Sequence, residues 1–271
     1  MRRFFLLLIT SSLVATCLLT IASTAAVGDD AATVSPSPDV TTQADPQSKT
    51  QSDTFAIGEI GPAGGVVFYV NKKGFKCGEK FTSTGSPTGG LCHYLEVAPN
   101  GWNTGIDPRK LWAVKSKQSK DVAGVAGGGP EVRITPESTR IVNSSSEIGL
   151  GYKNSIAIVK QGNDTTTAAG ASRAYQGGSM SDWYLPTLTE LNQLCKWARG
   201  VPWKSDATVC AGGKLNSPTY GAGSIGLIET GYFSSSERLA KTVWHQFFSD
   251  FTRQWFEYKA SSEYIRPIRA F

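Results

Sequence analysis

Asp182-Trp183-Tyr184-Leu185-Pro186-Thr187-Leu188-Thr189-Glu190-Leu191 decides how this chain is read. Thr187 and Glu190 stand at the S/T-x-x-E spacing of a capping box, where hydroxyl and carboxylate each satisfy a free amide of the first helical turn. Pro186 blocks extension of that helix upstream, since it has no N–H and its ring clashes with the preceding turn. Leu188, Leu191, Leu194, Cys195 and Ala198 then recur at helical spacing, and Gly200 ends the segment.

Outward from this helix, both ends of the chain read as strands. Gly61-Pro62-Ala63-Gly64-Gly65 is a turn, and the apolar run 66–70 that follows is a buried strand. Its expected partner is 94–98, stopped by Pro99-Asn100-Gly101; a Gly-rich region at 122–130 then interrupts the pattern. Short helices are expected over 152–159 and 165–175, with Asp164 capping the second. Strands are expected at 231–235, 243–248, 252–258 and 264–270. In the third, Arg253, Trp255, Glu257 and Lys259 alternate with Gln254, Phe256 and Tyr258. Pro267 marks the last as an edge strand or a bulged one. Helices in the middle and strands at both ends predict an α+β domain.

The 271 residues carry 27 Lys+Arg and 22 Asp+Glu, a net +5 that averages over unlike segments. Residues 1–26 read as a signal peptide: Arg2 and Arg3, an apolar stretch to Ile21, then small residues at 22, 23, 25 and 26. The competing readings are an uncleaved anchor and a lipid attached at Cys17, within Val14-Ala15-Thr16-Cys17; either would tie the chain to a membrane. Residues 27–56 form an acidic Pro/Ser/Thr linker of net −4, too polar to offset its chain entropy by burial. Residues 57–271 remain as a single globular domain with 24 Lys+Arg and 17 Asp+Glu, a net +7. A basic domain outside the cell favours polyanionic partners, and a secreted address argues against nucleic acid.

Four cysteines remain in that domain, and four allow three pairings. Local pairing, Cys77–Cys92 and Cys195–Cys210, each 15 apart, is the simplest. Neither couple has a zinc or redox spacing, so no metal and no cofactor is expected. Two histidines, His93 and His245, leave little for a proton relay, and Ser234-Ser235-Ser236 lacks a nucleophile elbow. No catalytic residue is assigned. The functional candidates are five cations, Arg109, Lys110, Lys115, Lys117 and Lys120, with Trp112 among them and Trp102 just before. Aromatic rings stack on sugar faces while cations meet anionic groups. The alternative is a solvated basic loop above a buried Trp112.

Six pieces in order carry a resemblance: 61–69, 94–99, Asn154, 181–191, 232–236 and Ile265-Arg266-Pro267-Ile268-Arg269-Ala270-Phe271. Together they resemble the bacterial extracellular domain family typified by the C-terminal domain of the Legionella collagen-like adhesin, over nearly all of 57–271. The D-W-x-L-P-T-x-x-E-L block with its terminal R-P-I-R strand is also similar to the formylglycine-generating-enzyme and C-type-lectin-like fold group. That likeness implies a mixed domain with antiparallel strands, short helices and neighbouring termini. No catalytic residue comes with it. Asp182 and Glu190 are expected as backbone caps, Trp183 and Leu185 as core, and Arg266 and Arg269 as partners of carboxylates, with Pro186 and Thr187 setting the helix start. The expectation is a secreted, non-enzymatic, adhesin-like module binding an extracellular glycan or another anionic polymer. An envelope assembly domain docking a protein through aromatics such as Trp255 is the alternative, and a secreted hydrolase ranks third.

Overall fold

Val66, Val67, Phe68 and Tyr69 are all buried in strand β1 (Val66–Phe75), as a continuous apolar run covered on both faces must be. The computed structural model describes residues 54–125, 148–206, 208–215, 225–250 and 252–271, all within one unit, Pro46–Phe271. The signal segment, Cys17 and the linker up to residue 53 lie outside the described residues.

β1 pairs antiparallel with β2 (Cys92–Val97), and β2 pairs with β8 (Ile268–Ala270), completing a three-stranded sheet. Phe55, expected at the end of the linker, is instead buried and packs edge-on against both Tyr94 and Phe271, at 5.5 and 5.4 Å, so the packed region begins before residue 57 and meets the last residue. The second sheet has five strands in the order β3 (Arg109–Leu111), β7 (Ser262–Tyr264), β4 (Gly231–Leu239), β5 (Thr242–Phe247), β6 (Gln254–Tyr258). Its pairings are antiparallel except for one parallel contact between β4 and β7.

Among the described residues, three α-helices complete the α+β fold: α1 (Gly151–Lys160), α2 (Ala168–Ala174) and α3 (Leu188–Ala198). α3 begins with both halves of the capping box, Thr187 Oγ1 accepting from Glu190 N–H and Glu190 Oε2 accepting from Thr187 N–H. It ends in a Schellman motif: Gly200 at φ 63° donates to Trp197 O, and Val201 donates to Lys196 O. Leu191, Leu194 and Cys195 join one core with Phe68 and Leu95 of the first sheet and Tyr232 of the second, so α3 sits between the sheets. The disulfides are Cys77–Cys92 and Cys195–Cys210, both local.

Three further expectations are corrected. The final strand over 264–270 is two strands in different sheets, β7 and β8. Pro267 has no N–H for a ladder, its carbonyl accepts from Ala98 N–H, and Arg266 turns inward, so the chain crosses between sheets here. The cap of α2 is the Thr167 position rather than Asp164. Asp164 Oδ1 accepts from the amide and hydroxyl of Thr166, which forms a turn one step ahead of the helix. Lys259, expected on one face with Arg253, Trp255 and Glu257, lies past the end of β6, fully buried and paired with Glu237, while Arg253 is exposed.

Candidate functional site

The cation row begins on β3, where Arg109 pairs with Tyr264 and Leu111 with Ser262. Trp112, the next residue, is fully buried, which corrects its expected role as a sugar-stacking ring. Its Nε1 donates to Ser234 O at 2.9 Å, and the Lys259 ammonium sits 4.9 Å from its ring centre. Its faces are spent on core and on an internal cation. Trp102 is half-buried, edge-on to Tyr175 at 5.4 Å, with Nε1 donating to Asp107 Oδ1 at 2.7 Å. Both indoles anchor the loop from within instead of offering platforms to a ligand.

The backbone beyond Trp112 is clamped from below. Val114 N–H donates to Asn163 Oδ1, and a 3-10 turn, Lys115–Lys117, follows. Val122 N–H donates to Glu237 Oε2, while Lys259 Nζ donates to Lys120 O and to Glu237 Oε1. A fully buried ion pair therefore stands under the loop, with both charges hydrogen-bonded, as burial of charge requires. Burial raises the Glu237 carboxyl, and the bond from Lys259 works against that shift.

Above this base, Arg109, Lys115 and Lys120 are exposed, and Lys110 and Lys117 are half-buried. Arg109 donates through its guanidinium to Ser262 O and lies 5.8 Å from the Tyr264 ring centre. Lys110 Nζ donates to Thr165 O at 3.4 Å. Among the described residues, none of the five is held in an ion pair. The cations are exposed or half-buried charges, three of them on a clamped backbone, and Arg109 has Tyr264 as its aromatic neighbour.

The motif residues lie elsewhere and hold the frame. Arg269 donates to both oxygens of Asp182 at 2.9 Å and to Glu96 at 3.2 Å; Asp182 thus pairs with an arginine where backbone capping was expected. Trp183 is fully buried, with Nε1 donating to Gly177 O, and Pro186 O accepts from Ser235 N–H. Glu190 also accepts from Gly149 N–H and Tyr184 O–H, yet burial pushes its carboxyl up to about 7. Asp107 went unnoticed in the sequence, although it accepts from Arg266, Tyr232 and Trp102 at once. Its only local signal is the Asp-Pro step before the cation row.

Two of the hydrolase candidates, Ser234 and Ser236, carry structural hydrogen bonds through their hydroxyls, while the His245 ring is buried. Ser234 Oγ donates to Trp244 O, Ser236 Oγ accepts from Leu188 N–H, and buried His245 is pushed down to about 4 by burial. Among the described residues, no three His, Cys, Asp or Glu gather to hold a metal ion, and no helix is long and apolar enough to cross a membrane.

No protein-family model matches the chain, and no curated protein matches it by sequence. Among solved structures, it is similar to a fimbrial protein from Bacteroides ovatus, with a TM-score of 0.37 and 16% identity. That alignment covers 76% of this chain and 44% of that protein, so the chain spans less than half of its length.

Proposed function

We propose that the chain is a secreted, non-enzymatic module that binds an anionic extracellular glycan or another surface polyanion through Arg109, Lys110, Lys115, Lys117 and Lys120. The observation that carries this reading is the clamped backbone at 112–122, which carries Lys115, Lys117 and Lys120 close in sequence to Arg109 and Lys110 of β3, none of the five being in an ion pair among the described residues. Fixed cations lose less conformational freedom on meeting a polymer, which favours association. The net +7 of residues 57–271 attracts the same class of partner, and two disulfides suit an oxidising compartment. An assembly role through Trp255 has less support, because that ring is half-buried between Phe256 at 5.3 Å and the Arg253 guanidinium at 5.3 Å.

The test is retention on a heparin column, comparing the chain with a variant carrying Gln at all five cations. Retention is expected to weaken with salt, as screened surface charges do, and to drop in the variant. Unchanged retention would remove the row from the function.

A further inference from the structure

A cleft enclosing about 510 Å³ opens on the side of the molecule where β1 meets the C-terminal end of α3, and no residue of the cation row lines it. Tyr69, Trp197 and Trp203 line it, and Trp203 is 62% exposed. Its size falls within the roughly 300–1,000 Å³ of small-molecule sites.

The loop carrying Trp203 is held firmly. Asp206 accepts from Tyr69 O–H at 2.9 Å through one oxygen and from Trp203 Nε1 at 3.2 Å through the other. Gln193 Nε2 donates to Asp206 O, and Lys196 Nζ donates to Ser205 O at 2.8 Å. The indole edge is therefore tied down while much of the ring stays in solvent. Large exposed aromatics that are rigidly positioned are the anchors of binding surfaces.

Two polar groups also line the cleft, and their donor count is informative. Lys196 is 3% exposed, and its ammonium spends two of three protons on Ser205 O and Gln193 Oε1. Gln193 Oε1 accepts only that one bond among the described residues, at 3.4 Å. One spare proton and one spare lone pair thus lie side by side. A hydroxyl satisfies both, since it accepts and donates. A carboxylate would meet the Gln193 oxygen and the nearby Asp206 charge, and an ammonium would meet Lys196. Burial lowers the Lys196 ammonium to about 8, and Asp206 pulls it back up.

We propose that this cleft binds one neutral hexopyranose residue of a glycan, its C–H face on the Trp203 indole and one ring hydroxyl between Lys196 Nζ and Gln193 Oε1. The site is independent of the cation row and of any polyanion bound there. The probes are neutral hexose and N-acetylhexosamine oligosaccharides, added to the full chain and followed by saturation-transfer NMR and tryptophan fluorescence. Saturable binding is expected, with little change between about 50 and 500 mM salt. Trp203→Ala and Gln193→Met should each weaken it by about tenfold or more. The first removes a side chain that is 62% exposed and outside the core, while Tyr69, Gln193 and Lys196 still tie the loop, so it stays interpretable if the second perturbs α3. The five-cation variant should bind the oligosaccharides as before, which separates failure of this site from failure of the row. The proposal is overturned if no oligosaccharide binds, if Trp203→Ala binds undiminished, or if only a decaproline peptide occupies the cleft.

Discussion

Arg266 donates through Nε and Nη2 to the two oxygens of Asp107, at 2.6 and 2.8 Å, across 159 residues of sequence. Both side chains are fully buried. Asp107 also accepts from Tyr232 O–H and Trp102 Nε1, and Arg266 Nη1 donates to Ala98 O and Ile225 O. The pair ties the crossing between sheets to the loop that leads into the cation row. Its worth lies in complete satisfaction, because a buried charge left alone is costly.

Asp107→Asn should therefore destabilise the chain by about 3–5 kcal/mol, as loss of one partner of a buried pair does. Urea unfolding of the chain and the variant measures this. Replacing both partners by apolar residues of similar volume should recover part of the loss; a single variant within about 1 kcal/mol of the parent would deny the pair this role.

Glu190 predicts a slope on the neutral side. Its carboxyl is near 7 when folded, against an ordinary 4.5. Below 4.5 both states are protonated and stability is complete; between 4.5 and 7 only the unfolded state ionises, so stability falls as pH rises. Glu190→Gln should remove this contribution at the cost of about 1 kcal/mol in capping. A variant whose pH-dependent thermal melts keep the parent's profile would point to another group.

His245 predicts the opposite slope. Burial and the Arg253 charge hold it down while Glu257 raises it, leaving it near 4 against an ordinary 6.5. Above 6.5 both states are neutral; as pH drops toward 4 only the unfolded state takes the proton, and stability falls. The two slopes oppose each other between about 4.5 and 6.5, so the parent should be nearly flat there. His245→Phe should expose the Glu190 slope, and Glu190→Gln the His245 slope, in the same melts.

The Cys195–Cys210 disulfide closes a loop with sequence separation 15 that carries Trp203 and Asp206. Replacing both cysteines by Ser should cost about 3 kcal/mol through freed chain entropy. Hydrogen exchange should quicken across 201–210 before the rest of the chain. Uniform quickening would mean that the loop opens only with the whole fold, held by Tyr69, Gln193 and Lys196 even without the disulfide.

Local chemistry made α3 legible. Its cap, apolar spacing and closing glycine all act within a few residues, so periodicity and turn chemistry suffice to place it. The same holds for the pairing of β1 with β2 and for the disulfides at short separation. The last strand was misread because one apolar alternation can serve two sheets, and only the crossing at Pro267 shows which residue goes where. The cation row was visible as composition, but the fate of Trp112 was not: an indole beside lysines reads alike whether it faces solvent or Ser234.

By itself, the sequence determined what depends on near neighbours: an α+β order of elements, a capped central helix, two local clamps, and a basic stretch at 57–271 after an acidic one at 27–56. Tertiary structure decided everything that depends on burial. Asp107 and Arg266, Glu237 and Lys259, and Trp203 with Lys196 and Gln193 meet across 22 to 159 residues or at the mouth of a cleft. Whether a charge is solvated or paired, and whether a ring is core or platform, is a property of its surroundings, which the chain supplies only once it has folded.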